Sequence, residues 1–154
     1  MSWWVAAGLD VPDVAQLVRV TIRLVLAALL GGVLGWERER VGKAAGLRTH
    51  MLVGLGSALF VVAMAEAGTP SADMTRVVQG IATGIGFVGA GAILKEGGQV
   101  RGLTTASGIW LTAAIGMAVG MGRLWLPALG AALAWVILAW LRGYERRLGT
   151  REDS

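Results

Sequence analysis

The chain has no cysteine, which excludes disulfides, thiol nucleophiles and cysteine-based metal sites. It has a single histidine, His50, and without a second imidazole or a thiol there is no ligand set for a transition metal. Charged residues make up only 16% of the sequence while hydrophobic ones reach 55%, a balance that belongs to integral membrane proteins rather than soluble domains. None of the long apolar segments carries an acidic residue near its middle. That argues against a dehydrated cation or proton site at the membrane centre, unless carbonyls freed by a broken helix replace the carboxylates. No serine–histidine–aspartate set or paired catalytic carboxylates fall within those segments, so the sequence does not read as an enzyme.

What is present reads as membrane protein. Five apolar segments run over Leu17–Trp36, Met51–Ala67, Val77–Leu94, Leu103–Gly120 and Leu124–Leu141, each about long enough to cross a hydrocarbon layer ~30 Å thick. The predicted fold is an all-α membrane protein, a bundle of five transmembrane helices over residues 17–141. Residues 1–16 form an interfacial lead-in with no basic n-region, and residues 142–154 a basic tail. Seven tryptophans against two phenylalanines fit aromatics anchored at membrane boundaries.

Charge reports topology here. Arg38, Arg40, Lys43, Arg48, Lys95, Arg101, Arg142, Arg146, Arg147 and Arg151 fall on one side of the predicted bundle, and only Arg19, Arg23, Arg76 and Arg123 on the other. The positive-inside rule places the N-terminus outside and the tail in the cytoplasm. Basic residues sorted by side in this way do not form a nucleic-acid footprint, and no nucleic-acid partner is expected.

The third segment contains a formal G-x-G-x-x-G at Gly84, Gly86 and Gly89. A dinucleotide loop needs a strand before and a soluble helix after, whereas these glycines lie inside an apolar run. The stretch is therefore a glycine-rich helix. Gly80, Gly84 and Gly91 fall on one face, Gly86 and Gly89 nearly opposite, with Val77, Ile81, Ile85 and Val88 between. Two close-packing faces predict that this helix is central, and its glycines make it a candidate for a break. Ala27, Gly31 and Gly35, and Gly108, Thr112, Gly116 and Gly120, form similar rows in the first and fourth segments. Small rows let helices approach closely in lipid, and their abundance points to a homo-oligomer, a dimer in the first instance, within the lipid bilayer.

The densest polar feature lies where four segment ends meet on the cytoplasmic side: Glu37, Arg38 and Glu39 after the first, Arg48, Thr49 and His50 before the second, Lys95 and Glu96 after the third, and Arg101, Thr104 and Thr105 before the fourth. Simple ion pairs, Glu37 with Arg40 and Glu39 with Lys43, and a threonine cap on the fourth helix are one reading. A cytoplasmic vestibule or docking surface is the other. Arg23 lies within the first segment, either functional or snorkelling outward. Asp73 and Arg76 begin the third helix, Asp73 as its N-cap or, failing that, an exposed oxygen ligand. Asp73 and Glu37 are the candidate ligands for Mg2+, which needs only one or two carboxylates plus waters.

These motifs carry a family resemblance. Arg23-Leu24, Gly31-Gly32, Gly35, Glu37-Arg38-Glu39 and Ala45-Gly46-Leu47-Arg48-Thr49-His50 resemble the first signature of the MgtC/SapB family. Asp73, Arg76, Gly84 to Gly91, Arg101 to Ala106, Trp110 and Ala113 to Gly116 resemble the second. The resemblance implies a five-helix bacterial inner-membrane protein linked to magnesium homeostasis, acting through membrane protein partners such as the ATP synthase. The rival expectation is an ion transporter with a pathway along the third helix. With only a short stretch after the fifth segment, the resemblance leads to the expectation of a membrane core without the soluble C-terminal domain of longer members.

Overall fold

A computed structural model of the chain describes residues 11–96 and 98–141. The first ten residues of the expected interfacial lead-in and the whole basic tail lie outside them. Five helices follow one another: α1 (Val14–Arg40), α2 (Leu47–Glu66), α3 (Ser71–Gly91), α4 (Leu103–Gly120) and α5 (Trp125–Val136), whose last turn widens into a π-helical stretch, Ile137–Leu141. Between α3 and α4 stands a two-stranded antiparallel hairpin, β1 (Leu94–Glu96) and β2 (Gln99–Arg101), with Leu94 opposite Arg101 and Glu96 opposite Gln99. The sequence reading missed it, treating Leu94 as the end of a helix. Its signal was the sequence pair Gly97-Gly98 between two short runs, since paired glycines favour tight hairpin turns.

Capping explains the helix limits. Asp13 starts α1 by accepting a hydrogen bond from the Gln16 N–H at 2.6 Å. α1 outlasts its apolar run by four residues and stops where Gly42 turns left-handed, at φ +68°. There the Lys43 N–H reaches back to the Arg38 carbonyl and the Gly42 N–H to that of Glu39, satisfying carbonyls that a helix end leaves bare. α4 ends in the same way at Gly122. The cap of α3 is Pro70, not Asp73, which sits in the first turn of the helix.

The centre of the bundle is α4 rather than the glycine-rich α3. α4 touches α1, α2, α3 and α5, and ten of its residues are buried, against one, Gly89, in α3. The reason lies in where the small residues face. A Cβ placed on Gly116 would run into the Gly54 carbonyl, one on Gly54 would stand 2.6 Å from the Ala27 carbonyl, and one on Gly31 would strike the His50 carbonyl. Glycine rows of α1, α2 and α4 thus bring three backbones together, so the rows on α1 and α4 are consumed inside the bundle rather than left exposed. In α3 the same test finds open space at Gly80, Gly84, Gly86 and Gly91. α3 runs unbroken to Gly91, lies on α4 and stands away from α2 across an apolar cleft of about 720 Å3 lined by Val53, Gly56, Phe60, Gly80, Ile81 and Gly84 among others.

Around the three close-packed helices, Ala27, Ala58 and Val119 form one buried cluster and Leu34, Ile115, Ala131 and Ala134 another, the second tying α5 to α1 and α4. α1, α2 and α4 are each long and apolar enough to cross a membrane; α5 with its π-helical turn is apolar but shorter. α3 is long enough but falls short in hydropathy.

Candidate functional site: a buried polar joint at one end of the bundle

The polar residues at the Arg40 end of α1 divide into a buried joint and an exposed rim. Glu37 and Arg38, neighbours on the last turns of α1, are each only 4% exposed, and Thr105 on the first turn of α4 is 3% exposed. The Arg38 guanidinium donates to the Thr105 hydroxyl at 3.4 Å and lies 3.8 Å from a Glu37 carboxylate oxygen. Charges taken out of water are costly unless partnered, and here the partners come from α1 and α4. Thr105 is therefore not a helix cap: α4 begins from Gly102, whose backbone is left-handed at φ +87°.

His50 completes the joint, and the sequence reading set it aside once a transition-metal site had been discounted. It is fully buried, shares Nδ1 with the Gly46 carbonyl at 3.0 Å, and turns Nε2 toward α4, where a Cβ on Gly108 would stand 3.4 Å away. Its backbone and Cβ fit against Gly31 and Gly35 of α1. The signal was available: glycine rows of four-residue spacing on two helices, with the chain's single histidine at the head of the helix between them. Its partners Glu37 and Arg38 are close enough to act on the ring electrostatically.

The rim is built from the other predicted residues. Glu39 is exposed, and its carboxylate accepts the Leu47 N–H at 2.7 Å, so it caps α2 from the end of α1. Gly46 leaves room for it, since a Cβ there would meet a Glu39 oxygen at 2.7 Å. Arg40 stacks over the Trp36 ring at 5.9 Å. Arg48, Arg101 and Thr104 are exposed and Thr49 is half-buried. The structure thus brings Glu37, Arg38, Thr105 and His50 together and leaves Arg48, Arg101 and Thr104 at the surface.

The remaining candidates lie elsewhere. Arg23, half-buried at the opposite end of α1, donates to the Gly120 carbonyl at 3.4 Å and passes beside Gly122. It anchors the end of α4 instead of reaching only for headgroups. Asp73 and Arg76 are both exposed, their charged atoms 4.0 Å apart. Asp73 and Glu37, the two separate Mg2+ candidates, sit at opposite ends of the bundle, each beside an arginine. Among the described residues no three His, Asp or Glu side chains gather where they could hold a metal ion.

Close-packed apolar helices around a buried charged joint define a polytopic α-helical membrane protein. The match to known sequences gives the class a family: residues 24–147 fit the MgtC family, and the chain belongs to it. It is similar to "Putative magnesium transporter YhiD" of Escherichia coli (strain K12), 44% identical over 76% of this chain and 58% of that protein. It is also similar to Protein SrpB of Synechococcus elongatus, 44% identical over 82% of this chain and 75% of the relative. Protein MgtC of Brucella abortus is 45% identical over 75% of this chain and 48% of its own length. The chain thus spans about half to three-fifths of the YhiD and MgtC relatives. No solved structure matches it.

Proposed function

We propose that this is a bacterial inner-membrane protein, with its N-terminus outside and its buried polar joint at the cytoplasmic face, that serves magnesium homeostasis by engaging membrane protein partners. It acts neither by catalysis nor by carrying the ion, and it works as a homo-oligomer. The observation that carries this reading is the division of the cytoplasmic residues. Glu37, Arg38, Thr105 and His50 lock α1, α2 and α4 at a joint where glycines leave little room for an ion, while Arg48, Arg101 and Thr104 stand exposed beside it. A rigid joint carrying a basic, hydroxyl-bearing rim is a docking surface. The magnesium link comes from the family and from the name of the YhiD relative.

The test is growth at limiting magnesium in cells lacking the native protein. Joint Arg48→Ala and Thr104→Ala substitution should abolish complementation with the protein at normal abundance. Full growth with both changes would sink the docking reading.

One observation favours transport as the second reading: the outward face of α3 carries Thr75, Gln79 and Thr83, all exposed, and could border a polar path. Purified protein in liposomes loaded with a magnesium-sensitive dye decides between the two. Flux that falls with Gln79→Leu establishes transport, and absence of flux leaves the partner reading.

A further inference from the structure

α3 is inside out for a helix in lipid. At ~100° per residue, the half turned toward the bundle carries Val77, Val78, Ile81 and Ile85, all partly covered. The opposite half carries Thr75, Arg76, Gln79, Thr83 and Gly86, all exposed, with Phe87 as its large apolar residue. A lipid-facing surface should be the more apolar one, and α3 is the long helix that falls short of membrane hydropathy.

Gln79 makes the conflict sharpest. It is the ninth residue of the helix, ~12 Å from the outer end at 1.5 Å per residue, within the middle of a layer ~30 Å thick. Its amide makes no hydrogen bond to the described residues, and an amide left unmet in hydrocarbon is costly.

We infer that this face is covered in the membrane by the same face of a second copy, α3 lying parallel to α3, with the two Gln79 amides hydrogen-bonded to each other. The inference rests on the self-association proposed above and adds where it occurs. Complementarity selects a second copy over other occupants. An amide carries both donor and acceptor, so Gln79 satisfies itself across a two-fold axis. The threonine hydroxyls one turn to either side have the same property. At the outer end, Asp73 and Arg76 are loosely paired within the chain, at 4.0 Å and both exposed. Three residues apart on one helix, they offer a two-fold mate its own opposite charges. Gly86, seven residues after Gln79 on the same face and a place where an added Cβ would meet nothing, lets the second helix come close enough for these bonds. A lipid chain supplies no donor or acceptor at the depth of Gln79.

Because the chain has no cysteine, single cysteines report contacts cleanly. In oxidised native membranes Thr83→Cys should yield a disulfide-linked dimer, whereas Leu29→Cys on α1, where Leu29 itself is 55% exposed, should not. Adding Gln79→Leu to Thr83→Cys should reduce the crosslinked fraction at least fivefold, and Gln79→Asn should largely preserve it. Crosslinking at Leu29→Cys but not at Thr83→Cys overturns this interface while keeping self-association. Monomer by both, and by native mass spectrometry, overturns self-association as well. Capture of a different protein by Thr83→Cys, or its rapid labelling by a membrane-impermeant maleimide, overturns the inference in favour of another partner or an aqueous path.

Discussion

At the scale of single residues, Thr104 and Thr105 are chemically identical neighbours with opposite fates. Thr105 is buried and accepts from Arg38, and Thr104 is exposed. Removing the buried hydroxyl leaves a guanidinium short of one acceptor, at about 1–3 kcal/mol, whereas a surface change away from such features stays within about 0.5 kcal/mol. Thr105→Val should therefore lower stability by about that larger amount, and Thr104→Val should leave it nearly unchanged, in denaturant or thermal unfolding of the purified protein in detergent. Equal effects would mean that Arg38 does not depend on Thr105. The sequence showed that polar residues collect at this end, because charges cluster beside apolar runs. It did not show which threonine faces inward, since the phase of α4 is set by the left-handed turn at Gly102 and by helices distant in sequence. Glu39 likewise has the spacing of a local pair with Lys43, yet it caps α2, a partnership made only once the α1–α2 turn is folded. Glu39→Ala should cost about 0.5–2 kcal/mol, the usual value for losing an N-cap acceptor, measured in the same unfolding experiment.

At the scale of elements, glycine spacing was legible and glycine meaning was not. Rows four residues apart correctly marked α1 and α4 as helices that pack closely, because that spacing keeps small residues on one face. The same logic applied to α3 made it the centre of the bundle, and the structure puts α4 there. A glycine in the sequence records only that a backbone has no side chain, not that anything approaches it. The distinction can be measured. Gly116→Ala drives a methyl into the Gly54 carbonyl, backbone against backbone with no flexible side chain to give way, and should cost about 1–3 kcal/mol or more. Gly80→Ala meets nothing in the single chain and removes glycine's conformational freedom, so it should raise stability by about 0.5–1 kcal/mol. Similar losses at both positions would place α3 against a neighbour within the same chain.

At the scale of the whole molecule, the helices alternate in direction, and the side on which the joint lies decides what it can meet. Gln16 at the start of α1 bonds Glu66 at the end of α2, which fixes one rim of the bundle, and Glu37, Arg38, His50 and Thr105 mark the other. Arg38 lies in the joint, Arg40, Lys43, Arg48, Lys95 and Arg101 at its rim or in the connections beside it, and Arg19, Arg23, Arg76 and Arg123 toward the opposite side. Retention of short basic segments in the cytoplasm acts through such local excesses of lysine and arginine, with acidic residues contributing little. The hairpin between α3 and α4 carries Lys95 and Arg101 on adjacent strands, so it should remain inside. Arg76, with an exposed side chain at the start of α3, should face outward. A cysteine-free chain permits a direct reading in intact cells with a membrane-impermeant maleimide. Arg76→Cys should label at once and Lys95→Cys only after permeabilisation. The reverse pattern would place the polar joint outside and remove any role for it in binding cytoplasmic-side partners, whatever the stability of the fold.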